Sequence, residues 1–225
     1  MKKLTVKLTL VEEALGGAPN NKEVYTKFIA SKAPDAASTE DEIAAIGVDG
    51  VVENGKTVFA RTPDGVPALY DYHIKGMFKD DCQMLARLTG KDENGKKLAA
   101  ANESSKLKAY KKVIDGLIFV KPRMIPFCSP SGSEVGVCER ALRAQTLQGE
   151  RIALACSETV PVGSTLTFEV ICMDDSHVAA VREWLDYGLL RGIGQWRNSG
   201  KGRFTWEELA CEDISFKELS GRRGA

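Results

Sequence analysis

Near the carboxyl end of this 225-residue chain, the segment Gly192-Ile193-Gly194-Gln195-Trp196-Arg197-Asn198-Ser199-Gly200-Lys201-Gly202-Arg203-Phe204 gathers four glycines and three cations. Glycines let a backbone come close to a ligand and turn its amides outward, and Arg197, Lys201 and Arg203 supply charge, so phosphate is the natural partner. The segment follows a helical pattern and runs into a strand. A dinucleotide fingerprint follows a strand and opens a helix, and a Walker loop needs GK[ST], so neither applies. Two readings stay open: a phosphate-binding loop built on Gly192, Gly194 and Gly200, or a loop packed tightly against a helix. Trp196 is likewise either a stacking platform for bases or an anchor pinning the loop to the core.

A second chemical segment is His73-Ile74-Lys75-Gly76-Met77-Phe78-Lys79, at the start of a helix. The free amides and dipole of a helix start favour an anion, and Lys75 and Lys79 add charge. His73 is the one candidate general acid or base; the plainer reading is a surface or capping histidine. No second histidine stands nearby, and no catalytic constellation is otherwise visible.

The elements that position these segments follow from hydrophobic periodicity. Leu4 to Val11 alternates as a half-buried strand. Tyr72 to Leu88 is a helix whose Ile74, Met77, Phe78, Cys82, Leu85 and Leu88 share a face. Lys106 to Val113 is a basic helix or ordered loop, Gly116 to Val120 a buried strand, and Pro126 to Gly136 a Ser/Gly/Pro loop. Ile152 to Cys156 and Thr165 to Met173 are strands, joined through a turn at Val160-Pro161-Val162-Gly163. Asp174 caps a helix with Val178, Val181, Trp184, Leu185 and Leu189 on its buried stripe. Arg203 to Leu209 is a final strand or hairpin. Between the first strand and the Tyr72 helix stand two short helices, Lys22 to Ala30 and one opened by Ser38-Thr39, and a hairpin over Gly50 to Arg61 turning at Asn54-Gly55. Strand, helix, strand, then strand, helix, strand is a split βαβ order. It implies an α+β fold: a ferredoxin-like (RRM-like) core of antiparallel sheet with helices on one face, whose open sheet face is a common place to bind.

Composition bounds the class. Hydrophobic residues at 43%, charged residues at 28% and 8 prolines describe an ordinary globular chain. No apolar run nears the ~18 residues of a membrane span, and the amino terminus alternates too strictly for a signal peptide, so an intracellular, cytoplasmic protein is expected. The six cysteines form no CxxC pair and read as buried thiols, so neither a metal nor a cofactor is expected. Net charge is zero, but its distribution is uneven: Pro34 to Asn54 holds six acids and no base, whereas Ser104 to Arg123 holds six bases against one acid. Arg191 to Arg203 adds four bases and no acid. Two basic stretches in a neutral protein fit either a polyanion groove or two solvated surfaces.

The helix opening His73-Ile74-Lys75-Gly76, the segment Arg140 to Glu158 leading into Val160-Pro161-Val162-Gly163-Ser164-Thr165-Leu166-Thr167-Phe168, and the loop ending Gly200-Lys201-Gly202-Arg203-Phe204 occur in an order that resembles the RAMP superfamily. More narrowly, they are similar to the backbone subunits of type III CRISPR effectors, over roughly Leu69 to Leu209. The whole chain also resembles prophage proteins of Gram-positive bacteria, which points to a stand-alone, phage-encoded version. The resemblance implies one domain over 1–209 with an inserted thumb or lid near 16–68, followed by a tail at 210–225. It implies a grip on single-stranded RNA or DNA through Lys75, Gly76, Lys79, Arg140, Arg143, Gly192, Gly194, Trp196, Arg197, Gly200, Lys201 and Arg203. It further implies copies packed side by side as a homo-oligomer. The family's cutting subunits carry an Asp in a loop before the helix; Asp64 and Asp71 lie in that region without matching the loop. The expected function is therefore non-catalytic single-strand binding. The alternatives are a metal-independent endoribonuclease using His73, and a phage structural or anti-CRISPR protein that binds a phage or CRISPR protein.

Overall fold

Alternation over Lys2–Leu10 makes the first strand, with Leu4, Val6, Leu8 and Leu10 buried and the residues between them half-exposed. The computed structural model describes residues 1–19, 56–88, 102–130, 134–146 and 149–219. Its strands are β1 (Lys2–Leu10), β2 (Ala14–Leu15), β3 (Ala18–Pro19), β4 (Thr57–Val58), β5 (Ala60–Arg61) and β6 (Pro67–Tyr70). Then come α1 (Asp71–Leu85), α2 (Glu103–Lys106), α3 (Tyr110–Leu117), β7 (Ile118–Lys121), β8 (Met124–Cys128), β9 (Gly136–Thr146), β10 (Gly149–Val160) and β11 (Thr165–Cys172). The chain continues through α4 (Val178–Arg191), β12 (Phe204–Asp213) and α5 (Phe216–Leu219).

The two βαβ halves, β1–α1–β7 and β11–α4–β12, interleave in one sheet. Its order runs β12, β1, β11, with β7 on the far side of β11, and every pairing is antiparallel. This is the ferredoxin-like core that the element order predicts. Leu8 stands opposite Leu166 on one side and Trp206 on the other, so the inward residues of three strands meet in one layer. The stripes of α1 (Ile74, Phe78) and α4 (Val181, Trp184, Leu185) close over that layer in a single buried cluster. The Phe78 and Trp184 rings lie 5.3 Å apart. The Trp184 indole N–H donates to Ser104 Oγ at 2.9 Å, and Ser104 is itself bonded to Glu183, so α2 seals the polar end of the helix pair.

The helix stripes end sooner than the periodicity suggests. Helix α1 stops at Leu85, which leaves Leu88 58% exposed. On α4 the buried position after Leu185 is Gly188, against which the Phe204 ring lies so closely that a Cβ would overlap it; Leu189 is turned outward at 47% exposure. The last strand passes the expected end at Leu209 and runs to Asp213, because β1 offers it a partner as far as Lys2.

The expected 126–136 loop begins as strand β8, which lies between β6 and the start of β11 and pairs with both. The short strand expected at Ile152 to Cys156 is part of a long ribbon, β9 with β10, whose root is stitched to β2 and β4. Sequence pattern misses β9 because Gly136–Thr146 interleaves charged and apolar residues without a strict period of two; the ribbon rests on backbone pairing. The expected thumb near 16–68 and its two short helices fall mostly outside the described residues. Cys82, Cys156 and Cys172 are buried as expected, but Cys128 at the end of β8 and Cys211 on the edge strand β12 are exposed, and Cys138 is half-buried.

Candidate nucleic-acid interface

The middle of the outer sheet face offers little to bases. Strand β1 turns Lys3, Thr5, Lys7 and Thr9 outward. Lys3 is paired with Glu169 and Glu212, and Lys7 with Glu207. The lysines of β1 on this face are thus neutralised, and neither β1 nor the outward positions of β11 carry an aromatic ring; the exposed Phe119 and Lys121 stand to one side on β7, in register with Ile171 and Glu169.

The Gly-rich loop divides its glycines between two roles. Gly192 and Gly202 have φ of 72°, and a Cβ on either would run into the backbone of the other arm. The Ile193 N–H donates to the Gly202 carbonyl at 2.9 Å, and the Gly202 N–H to Glu13 at 2.8 Å, so these two glycines serve tight packing. Gly194, with φ of 86°, lies on the open side and borders a cleft. Gly200, with φ of 89°, ends the 3-10 turn Arg197–Ser199.

That cleft, about 580 Å³, is where the loop meets the start of α1. Its floor is apolar, from Leu15, Phe59, Leu69 and Met77, and its rim carries Tyr70, Tyr72, His73, Gly76, Gln195 and Arg197. Gly76 sits inside a helix, where glycine costs about 1 kcal/mol against alanine, yet a Cβ there would meet no atom within 4 Å. The Tyr70 and Tyr72 rings stack at 5.2 Å with 13° between their planes, and the Arg123 guanidinium covers both at 5.4 and 5.2 Å. These tyrosines escape the sequence reading, although Tyr70-Asp71-Tyr72-His73 directly precedes the cationic motif.

His73 is a cap. Its Nδ1 accepts the Tyr70 N–H at 3.0 Å, satisfying that amide at the start of α1. Desolvation at the cleft rim lowers its pKa against the pull of Asp71, which favours the neutral imidazole. Asp71, the nearest acid, is paired with Arg123. Asp64 lies in the turn between β5 and β6, and its side chain does not line the cleft.

The cations of the two segments are not all brought together. Lys75 and Lys79 turn to α3: Lys75 Nζ donates to the Asp115 carbonyl at 3.1 Å and lies 5.2 Å from the centre of the Phe119 ring, and Lys79 pairs with the Asp115 carboxylate at 2.6 Å. Desolvation lowers the Lys75 pKa. Lys201 pairs with Glu13, whose hydrogen bond raises its pKa. Arg203 is exposed on the loop, while its carbonyl accepts the Val11 and Glu12 amides. Arg143 lies on β9 opposite Ile152, with its side chain outside the described residues. Arg140 reaches back from β9 to place its guanidinium 5.0 Å from the Trp196 ring and to donate to Ser157 at 3.0 Å. Trp196 thus anchors the loop to the ribbon rather than to the core, and holds a left-handed φ of 54° while 38% exposed.

Arg197 is the loop cation that faces the cleft. It and Arg191 share one carboxylate oxygen, Asp80 Oδ2, at 2.7 and 2.8 Å, which ties the loop to α1. Partial burial pushes the Asp80 pKa up, but the hydrogen bonds and charges of the two arginines outweigh it and hold the carboxyl below its usual value. The next residue, Asp81, is completely buried, and neither of its oxygens has a hydrogen-bond partner. Burial, with Asp80 adding to it, pushes the Asp81 pKa up to about 8.

Among the described residues no helix is long and apolar enough to cross a membrane. No family model matches the chain, and no curated protein matches it. Among solved structures, it is similar to a chain in the cryo-EM structure of the type III-B Cmr-beta bound to cognate target RNA, with a TM-score of 0.50 at 12% identity. The match covers 95% of this chain and 61% of that one, so this chain spans about three fifths of its neighbour's length. At that identity the similarity is one of fold, and the fold shared is the ferredoxin-like α+β core described above.

Proposed function

We propose that the protein binds single-stranded nucleic acid, RNA before DNA, along the cleft between the start of α1 and the Gly192–Arg203 loop, without cutting it. The observation that carries this reading is the meeting of two segments distant in sequence at one cleft. That cleft offers an arginine for a phosphate, stacked phenol rings for bases and a floor of apolar side chains. The fold shared with a chain from a structure holding target RNA supports RNA as the ligand. Side-by-side assembly of copies along the strand, in a CRISPR-type complex, belongs to the same proposal. Engagement of His73 Nδ1 in the helix cap supports a binding rather than a cleaving role.

The test is the affinity for dye-labelled single-stranded RNA and DNA as a function of salt. Arg197→Ala is expected to lower the slope of log K against log salt by roughly 0.7, the value of one lost phosphate contact on a single strand. Arg191 still holds Asp80 in that variant. Tyr72→Ala is expected to weaken binding by roughly 1–3 kcal/mol with the slope unchanged, because stacking releases no counterion. If wild-type protein binds no oligonucleotide at low salt, the proposal fails. Metal-free RNA cleavage that His73→Ala abolishes would replace it with the endoribonuclease reading.

A further inference from the structure

Taking the cleft as the anion-binding site, we propose that Asp81 sets its charge. As a neutral acid, Asp81 leaves Arg191 and Arg197 with one positive charge more than Asp80 balances; its ionisation cancels that charge and weakens anion binding. The inference therefore rests on the binding site proposed above and adds its regulation.

Position carries the inference. On the buried stripe of α1, every residue but Asp81 is apolar or a thiol: Ile74, Met77, Phe78, Cys82 and Leu85. Asp81 has no solvent exposure, and both of its oxygens lack a donor. An ionised carboxylate left without hydrogen bonds in such a place costs several kcal/mol, whereas the protonated acid avoids most of that penalty. The two arginines that could have paired with it are both directed to Asp80 Oδ2. With Asp81 neutral, the group of Arg191, Arg197 and Asp80 carries two positive charges and one negative, a surplus of one at the edge of the cleft that Arg197 lines.

The charged and titratable groups around Asp81 set the direction. On α1, Asp80 repels its ionised form, and the Cys82 thiol is pushed up to about 11 by burial. From α4 comes Arg191, with Tyr187 acting on that arginine; from the loop comes Arg197; both arginines favour ionisation of Asp81. Glu183 of α4 lies toward Cys82 and is held by the Glu103 and Ser104 amides and the Ser104 hydroxyl. On the α3 side, Lys79 and Asp115 neutralise each other. Burial wins over the arginines, so the acid gives up its proton only in mildly alkaline solution.

The test is binding of a dye-labelled oligoadenylate, with inorganic tripolyphosphate as a base-free second probe, at about pH 6.5 and about pH 9 in 0.1 M salt. One phosphate contact with a slope of roughly 0.7 is worth about five-fold in affinity at that salt, so wild-type affinity is expected to fall about five-fold across this range. Asp81→Asn, which stays neutral, is expected to hold its affinity at the higher pH. As a measurement on the wild-type chain, the carboxyl carbon resonance of Asp81 should titrate with a midpoint near pH 8. A flat wild-type pH profile, an Asp81→Asn profile that falls like the wild type, or an Asp81 midpoint in the usual carboxylate range overturns the inference while leaving the binding site standing. Tripolyphosphate bound with the expected pH profile, in a protein that ignores RNA, upholds the inference and removes the nucleic-acid reading. Failure to bind either probe overturns both.

Discussion

Replacing Asp81 by Asn should make the protein more stable, by an amount that grows with pH. The carboxyl titrates near 8 in the folded chain and at an ordinary value of 3.8 when exposed. Between those values the folded state holds a proton that the unfolded state has released, so stability is greatest below about pH 4 and falls as pH rises toward 8. At pH 7 the gap from 3.8 is about three units, and at 1.36 kcal/mol per unit this amounts to a loss of about 4 kcal/mol. Asn carries no ionisation and escapes the loss, while its amide inherits the same shortage of partners. The expected difference between variant and wild type therefore approaches 4 kcal/mol near neutrality as an upper bound and is smallest near pH 4. Urea denaturation of both proteins at half-unit steps between about pH 4.5 and 8.5 measures it. Taking the difference between the two proteins cancels Asp80 and Asp115, whose lowered pKa values act with the opposite sign, giving stability that is lost as pH falls. A difference that is constant with pH, or that grows toward acid, would refute the assignment of Asp81 as a buried neutral acid.

Three further outcomes are expected. Trp184→Ala should cost roughly 3–5 kcal/mol in urea denaturation, since it empties the centre of the core and strips Ser104 of a donor; a loss under about 1 kcal/mol would mean that the α4 stripe is not core. Two glycines within helices should respond in opposite directions to alanine: Gly188→Ala is destabilising by roughly 1–3 kcal/mol because its methyl meets the Phe204 ring, whereas Gly76→Ala gains up to about 1 kcal/mol because the space is open. Alkylation of the native protein followed by mass spectrometry should modify Cys128 and Cys211 well before Cys82 and Cys172, whose thiols burial pushes up to about 11 and about 12; equal rates would contradict the packing.

What the sequence determined by itself was the core. Leu4, Val6, Leu8 and Leu10 alternate, and Ile74, Phe78, Val181, Trp184 and Leu185 recur at helical steps, because each element faces one apolar layer on one side and that constraint is written locally. The βαβ order of those elements then leaves few ways to interleave two halves in an antiparallel sheet. The order of motifs also pointed to the start of α1 and the Gly-rich loop, which do meet at one cleft. The tertiary structure alone decided which cations remain there: Lys75 and Lys79 turn to Asp115, Lys201 to Glu13, and Arg197 joins Arg191 on Asp80. It also separated the packing glycines Gly192 and Gly202 from the cleft glycine Gly194, and substituted Gly188 for Leu189 on the buried side of α4. The ribbon of β9 and β10 likewise arose from pairing rather than pattern. In each case the deciding contact joins residues that no local period relates. A charge or a glycine has no fate of its own until folding brings up the carboxylate, ring or backbone arm that it meets.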